Sequence, residues 1–404
     1  MDPEKEKDPQ VPNEHPENQE EFVTNDDVGA VIDPEDGPEP MDDEDEEEPH
    51  DPQVQEAMQD IYNLIQNDNS IQGFFDHKDA VYSISLHPTE SIAASGGGDD
   101  KAFIWNYTNG EKLFELGGHS DSVVAVKFSS DGTYLATGGM DGKTHVYNTN
   151  TKEKCATFEG PDEVTWIDWH PKGPILLAGS QDGSIWMWNA QSGEFMNVFN
   201  GHSAPVTCGR FTHNGKNIVS GAEDGSLIVW DPRSASIVSQ LTSSDNRFHQ
   251  GPITCLDITS DDTIIVTGSG DNSSVLSHIN GQIIEKLENS EEPIECVGFC
   301  DVLPLVAIGS IDGSITIWDR NTQRVRQKLS HEDVVTKLQW VKNAPFLVSA
   351  SVDKTVRVWD GRSGVCVKKL SGHQDTILDI AISDDLKKVV TASDDNCCLV
   401  FPLE

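Results

Sequence analysis

The sequence predicts an all-β fold, an eight-bladed β-propeller behind a disordered acidic N-terminal arm, on three observations. The first is a recurring pair, an aspartate and, after five intervening residues, an aromatic. It occurs as Asp99/Trp105, Asp141/Tyr147, Asp182/Trp188, Asp224/Trp230, Asp312/Trp318, Asp353/Trp359 and Asp395/Phe401, with Asp271/Ser277 as a degenerate eighth copy. The second is the period: successive aspartates stand 42, 41, 42, 47, 41, 41 and 42 residues apart, the spacing of propeller blades. The third is that each repeat carries four strand-like runs.

From the N-terminus, residues 1–52 form the arm. Pro3, Pro9, Pro12, Pro16, Pro34, Pro38, Pro40, Pro49 and Pro52 punctuate it, and Asp42 to Glu48 is unbroken acid. So little apolar surface does not offset the entropy of ordering, so disorder is expected. The arm then serves as a solubilising tail or as a transient holder of a basic polypeptide. Residues 53–70 read as a short helix and linker. Val54, Met58, Ile61 and Ile65 share one face of a helix over 53–66, and Asn67 to Ser70 favours a turn. So short a helix is marginal alone. It is expected to lie on the body; a detachable docking helix is the alternative.

The body is residues 71–404. In the fourth repeat the strands are Pro205 to Phe211, Asn217 to Ser220, Ser226 to Trp230 and Ile237 to Leu241. Asn214-Gly215 and Asp224-Gly225 are turn dipeptides between the first three, of the kind hairpins need. One such sheet cannot bury both faces. Eight closed into a ring can, leaving only short edges.

These repeats resemble the WD-repeat (WD40) family. Gly118-His119, Gly201-His202 and Gly372-His373 stand at repeat starts, and Trp230-Asp231, Trp318-Asp319 and Trp359-Asp360 at repeat ends. The resemblance implies a hydrogen-bonded relay of His, Ser or Thr, Asp and Trp inside a blade. Here that is His202–Ser220–Asp224–Trp230, His77–Ser95–Asp99–Trp105 and His331–Ser349–Asp353–Trp359, so the recurring Asp99, Asp141, Asp182, Asp224, Asp312, Asp353 and Asp395 are structural. So are Trp105, Trp188, Trp230, Trp318 and Trp359. A Ser/His/Asp set copied around a ring is scaffold, since a nucleophile needs one activated site. The family also runs outer strand first, which makes Ile71 to Phe75 the outer strand beside Cys398 to Pro402, a clasp joining the chain ends.

Chemistry is bounded by what is missing. No Walker-type phosphate loop, no HExxH and no Cys/His cluster at metal spacing occurs, so no enzyme, cofactor or metal is expected. Cys155, Cys208, Cys255, Cys296, Cys300, Cys366, Cys397 and Cys398 include no CxxC pair, consistent with a reducing compartment. The start of the chain lacks the basic and apolar regions of a signal peptide, and no apolar run approaches the roughly 20 residues that span a bilayer. The net charge of −41 is uneven: 25 acids against two lysines in residues 1–70, and 44 against 26 bases thereafter. Such a balance repels nucleic acid and suits a basic partner or simple solubility.

The site is therefore expected on the rim where loops converge. Partners of WD propellers often use the turns before each first strand and before each relay aspartate. Those positions are Tyr82, Ser122, Met140, Glu163, Gln181, Glu223, Glu295, Asp333, Asp375 and Asp394, with Glu291, Glu292 and Glu332 close by; the set holds no Lys or Arg. Glu163, Glu223, Glu295, Asp333, Asp375 and Asp394 are the expected receptors for Lys and Arg, supported by Glu292, Glu332 and Tyr82.

Val164 to Ser180, Ile185-Trp-Met-Trp188, His249 to Cys255, Val297-Gly-Phe-Cys300 and Pro304-Leu-Val-Ala307 resemble the angio-associated migratory cell protein family. That family includes a fungal dedicated chaperone of ribosomal protein L-ten (universal name L-sixteen). The resemblance implies a monomeric, cytoplasmic chaperone, with the nucleus as a second compartment. It would capture the basic N-terminal segment of this large-subunit protein, even on the ribosome, and deliver it to the pre-60S or 60S subunit. The alternative is a scaffold in signalling or in a ubiquitin-ligase complex.

Overall fold

A computed structural model describes residues 68–403 except 161, 288 and 289; the acidic arm and the 53–66 helix lie outside the described residues. Those residues form eight four-stranded antiparallel sheets, each meandering from an innermost to an outermost strand. The innermost strands are Val81–Leu86, Val123–Phe128, Val164–Trp169, Val206–Phe211, Ile253–Ile258, Ile294–Phe299, Val335–Trp340 and Ile377–Ile382, here blades 1 to 8. Each touches the next, and that of blade 8 returns to blade 1. The ring is closed.

The core lies between blades. Val219, Leu227 and Val229 of blade 4 pack with Ile253, Ile265 and Val275 of blade 5 in one buried cluster. This is why a lone sheet would be unstable: each apolar face needs its neighbour to leave water. The approach is close. A Cβ on Gly268 of blade 5 would lie 2.5 Å from Cγ2 of Ile294 in blade 6, so only glycine fits there.

Closure uses the chain start. Gln72–Phe74 pairs antiparallel with Cys398–Pro402, register Gln72↔Val400, Gly73↔Leu399 and Phe74↔Cys398, completing blade 8. Phe74 is 1% exposed and stacks on Trp105 of blade 1 with ring centroids 5.1 Å apart. The expected clasp thus covers an otherwise open strand edge and also fills the joint between blades 8 and 1.

All eight innermost strands contain the same irregularity. The pairing register shifts between their first and third residues, as between Val206 and Cys208 or Ile294 and Cys296. The second residue is left out of the ladder, the geometry of a bulge, which re-aims a side chain. In four blades it is a threonine whose hydroxyl donates to the first innermost-strand carbonyl of the next blade. Thr165 reaches Val206, Thr207 reaches Ile253, Thr254 reaches Ile294 and Thr336 reaches Ile377, at 2.5–2.6 Å. In blades 1 and 6 the bulged residues are Tyr82 and Glu295.

Candidate partner-binding face

The turn entering each innermost strand and the turn between the second and third strands lie at one end of the sheet, because the strands alternate in direction. A backbone bond joins these two turns in every blade. The amides of Gly98, Met140, Gln181, Glu223, Gly270, Ile311, Val352 and Asp394 donate to the carbonyls of Ala80, Ser122, Glu163, Pro205, Pro252, Pro293, Val334 and Thr376, at 2.8–3.1 Å. One face of the ring is thereby built from sixteen paired positions.

The relay aspartates hold this face in place. In blade 7, His331 lies 2.8 Å from Asp353 through Nδ1 and 2.7 Å from Ser349 Oγ through Nε2, and the Trp359 indole donates to that same Oγ at 2.8 Å. Blade 4 closes the set with an added hydroxyl: His202 Nδ1 meets Ser226 Oγ at 2.7 Å, and Ser226 donates to Asp224. Ser220 takes His202 Nε2 and the Trp230 indole there. In blade 1 His77 joins Ser95 and Asp99, but the buried Trp105 Nε1 has no partner; its ring stacks on Phe74 instead.

Other blades keep fewer members. His119 and His373 pair with Asp141 and Asp395 at 3.0 and 2.8 Å. Tyr147 turns its hydroxyl to the Gly117 carbonyl, and Phe401 has no donor to give. The degenerate fifth repeat retains His249, Thr267 and Asp271; only the aromatic is lost, with Ser277 buried in its place. Blades 3 and 6 have Gly160 and Ser290 where the histidine stands elsewhere. There Asp182 and Asp312 accept the amides of Ser184 and Ser314 in their own turns. Trp188 stacks on Phe158, and the buried Trp318 Nε1 is unpartnered.

In the six histidine-bearing blades the same aspartate also accepts the backbone amide of the residue following the histidine: Lys78, Ser120, Ser203, Gln250, Glu332 and Gln374, at 2.7–3.1 Å. Burial alone would raise the Asp353 carboxyl. Bonds from His331, Thr355 and the Glu332 amide outweigh it and hold the group far below the usual carboxylate range. The next residue in the turn is thereby carried to the rim.

That residue is acidic in six of the eight blades: Asp79, Asp121, Asp162, Glu292, Asp333 and Asp375, with Ala204 and Gly251 in blades 4 and 5. All six acids are exposed. Running through blades 6, 7, 8, 1, 2 and 3, they make an open horseshoe of carboxylates. In the five aspartates one carboxylate oxygen accepts the following amide at 2.7–2.9 Å, which steadies the group at the rim.

Asp333, Asp375 and Glu292 of the expected set belong to this ring. Glu163 sits one residue nearer its strand, and Glu223 and Asp394 lie in the partnering turns; all are exposed. Asp79, Asp121 and Asp162 escaped the sequence reading, although a repeated His-x-Asp (His77-x-Asp79, His119-x-Asp121, His331-x-Asp333, His373-x-Asp375) marks two of them. Glu332 is exposed but already bridges Arg357 and Lys369, both at 3.3 Å. Lys78 and Lys354 stand in the same turns, Lys354 donating to the Gln374 carbonyl.

Glu295 and Tyr82 are the bulged residues of blades 6 and 1, and both are exposed. Glu295 is open to solvent yet walled by protein, so desolvation raises its carboxyl while Lys337 opposes the shift. Deeper acids are committed to holding the ring. Asp168 takes Lys127 of blade 2 and the Phe211 amide of blade 4, and Asp257 takes Arg210 and the Phe299 amide. Asp379 takes Lys337 and the Ile84 amide. Each carboxylate ties a preceding blade to a following one, so charge available to a partner is concentrated at the rim.

Sequence and structure comparisons agree with this geometry. The WD domain, G-beta repeat model matches residues 69–106 and 110–148, the IFT140 first beta-propeller model 151–261, and the anaphase-promoting complex subunit 4 WD40 domain model 297–385. This chain is a WD-repeat propeller. It is similar to human angio-associated migratory cell protein, 37% identical over 153 residues, 38% of this chain and 35% of that protein. An uncharacterised WD repeat-containing protein of Schizosaccharomyces pombe is 39% identical over 106 residues, 26% of this chain and 25% of that one. The matches thus span 35% and 25% of these relatives' own length.

Solved structures match over far more of the propeller. Chaetomium thermophilum Sqt1 bound to the N-terminus of the ribosomal protein L10 superposes with a TM-score of 0.77 at 27% identity, over 83% of this chain and 100% of that one. Saccharomyces cerevisiae Sqt1 gives 0.78 at 25%, over 84% and 100%.

Proposed function

We propose that this propeller is a dedicated assembly chaperone for a large-subunit ribosomal protein of the L10 class. It binds the client's basic N-terminal segment on the acidic rim and delivers it to the pre-60S or 60S subunit. The observation that carries this reading is the likeness, over 83% of the chain, to Sqt1 bound to the N-terminus of L10. The horseshoe of carboxylates supports it: long Lys and Arg side chains form charge-assisted bonds with such groups, and the shared field speeds encounter. Phosphate-rich partners are repelled by the same field. The reading assigns binding and no catalysis, in the cytoplasm, by a monomer. A ubiquitin-ligase scaffold is the second reading, favoured by the match of residues 297–385 to an anaphase-promoting complex propeller, which covers only about two blades.

A synthetic peptide with the N-terminal sequence of the client, followed by fluorescence anisotropy, tests this. We expect binding that weakens steeply with salt and is lost in Asp333→Lys/Asp375→Lys, with a smaller loss in Glu223→Lys. Salt-independent binding, or none at low ionic strength, rejects the acidic-rim reading. Stable co-purification with a ligase complex and no peptide binding supports the second.

A further inference from the structure

Blade 8 differs from blades 4, 5 and 7 in the side chain that follows its relay aspartate by two residues. Two residues after the relay aspartate, blades 4, 5 and 7 carry Ser226, Ser273 and Thr355, whose hydroxyls donate to that aspartate at 2.5–2.6 Å. Blade 8 carries Cys397. Its Sγ lies 2.8 Å from Asp395 Oδ1 and 3.8 Å from His373 Nδ1, and the latter is 2.8 Å from Asp395 Oδ2. An imidazole nitrogen, a carboxylate oxygen and a sulfur therefore face one another within 4.8 Å. Residues 22 and two positions apart supply them, a spacing no linear motif announces.

We propose that His373, Asp395 and Cys397 bind a thiophilic divalent cation of the zinc class, at the seam where blade 8 meets the start of the ring. The donor types are those that zinc takes in proteins. The other imidazole nitrogen, His373 Nε2, is 2.6 Å from Thr391 Oγ1, so an outer hydrogen bond orients Nδ1 toward the site, as in metal-ligating histidines. A tetrahedral ion with bonds of about 2.0–2.3 Å spaces its ligands about 3.3–3.7 Å apart. The His373–Cys397 edge, 3.8 Å, is already close to this length. The two edges through Asp395 must open by roughly half an ångström or more, within reach of carboxylate and thiol rotation.

A fourth position is available. A cavity of about 380 Å³ is lined by Cys397 and Asp395 together with Asp68, Phe75, Gln374 and Asn396 among others. Water or the Asp68 carboxylate can complete the shell from there. Asp68 belongs to the segment entering the first strand, which is pinned to blade 8 where the Asn69 amide donates to the Ser371 carbonyl at 2.7 Å. A thiol that becomes a metal ligand gives up its proton, so cation binding releases one.

Cobalt(II) titration of the metal-stripped full chain tests the site. We expect one equivalent to give a near-ultraviolet thiolate-to-cobalt charge-transfer band with proton release, and zinc to abolish the band by displacement. Cys397→Ser should lose the band and keep the fold, because Ser226 and Ser273 fill that position in blades 4 and 5; circular dichroism checks this. A Cys155→Ser/Cys366→Ser chain, lacking the two exposed thiols, should keep it. Thr391→Val should weaken binding about tenfold. Zinc should raise the unfolding temperature of the native chain and not of Cys397→Ser. Absence of the band, its survival in Cys397→Ser, or an equal thermal response in both chains overturns the proposal. Weak binding by the acidic arm involves no thiolate and gives no such band.

Discussion

At the scale of single residues, the relay aspartates are not equivalent, although the sequence writes them alike. Asp353 accepts bonds from His331, Thr355, Arg357 and the Glu332 amide, whereas Asp312 is bonded to Ser314 in its own turn. Removing a carboxylate that leaves buried donors stranded costs far more than removing a turn cap. Asp353→Ala should lower stability by about 3 kcal/mol and Asp312→Ala by about 1 kcal/mol, measured as shifts in the urea unfolding midpoint. The Asp353 carboxyl is depressed below its unfolded value of 3.8. Its contribution is therefore fully present above that pH and is lost as pH falls through the lower folded value. The pattern of aspartate and aromatic was legible in the sequence. Of the three relays expected from it, those of blades 4 and 7 include their tryptophan; that the blade 1 relay leaves its tryptophan out was not legible, since Trp105 is aligned like Trp359 yet its indole has no partner and stacks on Phe74.

At the scale of the element, blade 2 carries an acid-sensitive joint. His145 occupies the strand position held by Phe103 in blade 1, and its ring centroid is 4.3 Å from that of His119. It is 2% exposed, and its Nε2 has no partner. Burial first, then the charge of His119, lowers it from 6.5 to about 4, with Lys154 acting the same way and Asp141 opposing. Below 6.5 the unfolded chain takes up a proton that the folded chain refuses until about 4. Stability thus falls as pH drops through that window, by about 3 kcal/mol for this group. His145→Phe should flatten this part of the acid dependence, seen by comparing urea midpoints at neutral pH and near pH 5. An unchanged pH profile would refute the assignment. The strands were readable from turn dipeptides and alternation, but the bulge that takes Tyr82 and Glu295 out of the ladder was not. It is a property of pairing with the neighbouring strand.

At the scale of the whole molecule, closure depends on three residues of strand, Gln72–Phe74. Deleting residues 71–76 removes the fourth strand of blade 8, exposes the edge of Cys398–Pro402 and empties the joint beside Trp105. We expect a chain that aggregates on warming, whereas deletion of residues 1–50 should leave the unfolding temperature almost unchanged. Phe74→Ala alone should cost about 3–5 kcal/mol. Equal thermal stability of the two deletions would contradict a clasp.

The sequence by itself determined the number of blades, the closed ring and the strand that completes it. Period, alternation and turn chemistry are local, and eight repeats leave one packing that buries every sheet. It also determined that the surface is acidic. Only the tertiary structure decided which acids share a rim and which are consumed. Asp168, Asp257 and Asp379 stitch neighbouring blades, while Asp79, Asp121 and Asp162 join Asp333 and Asp375 at the mouth. The physical reason is that a carboxylate's availability depends on what stands across the blade boundary, 40 or more residues away in the chain, and not on its neighbours in sequence.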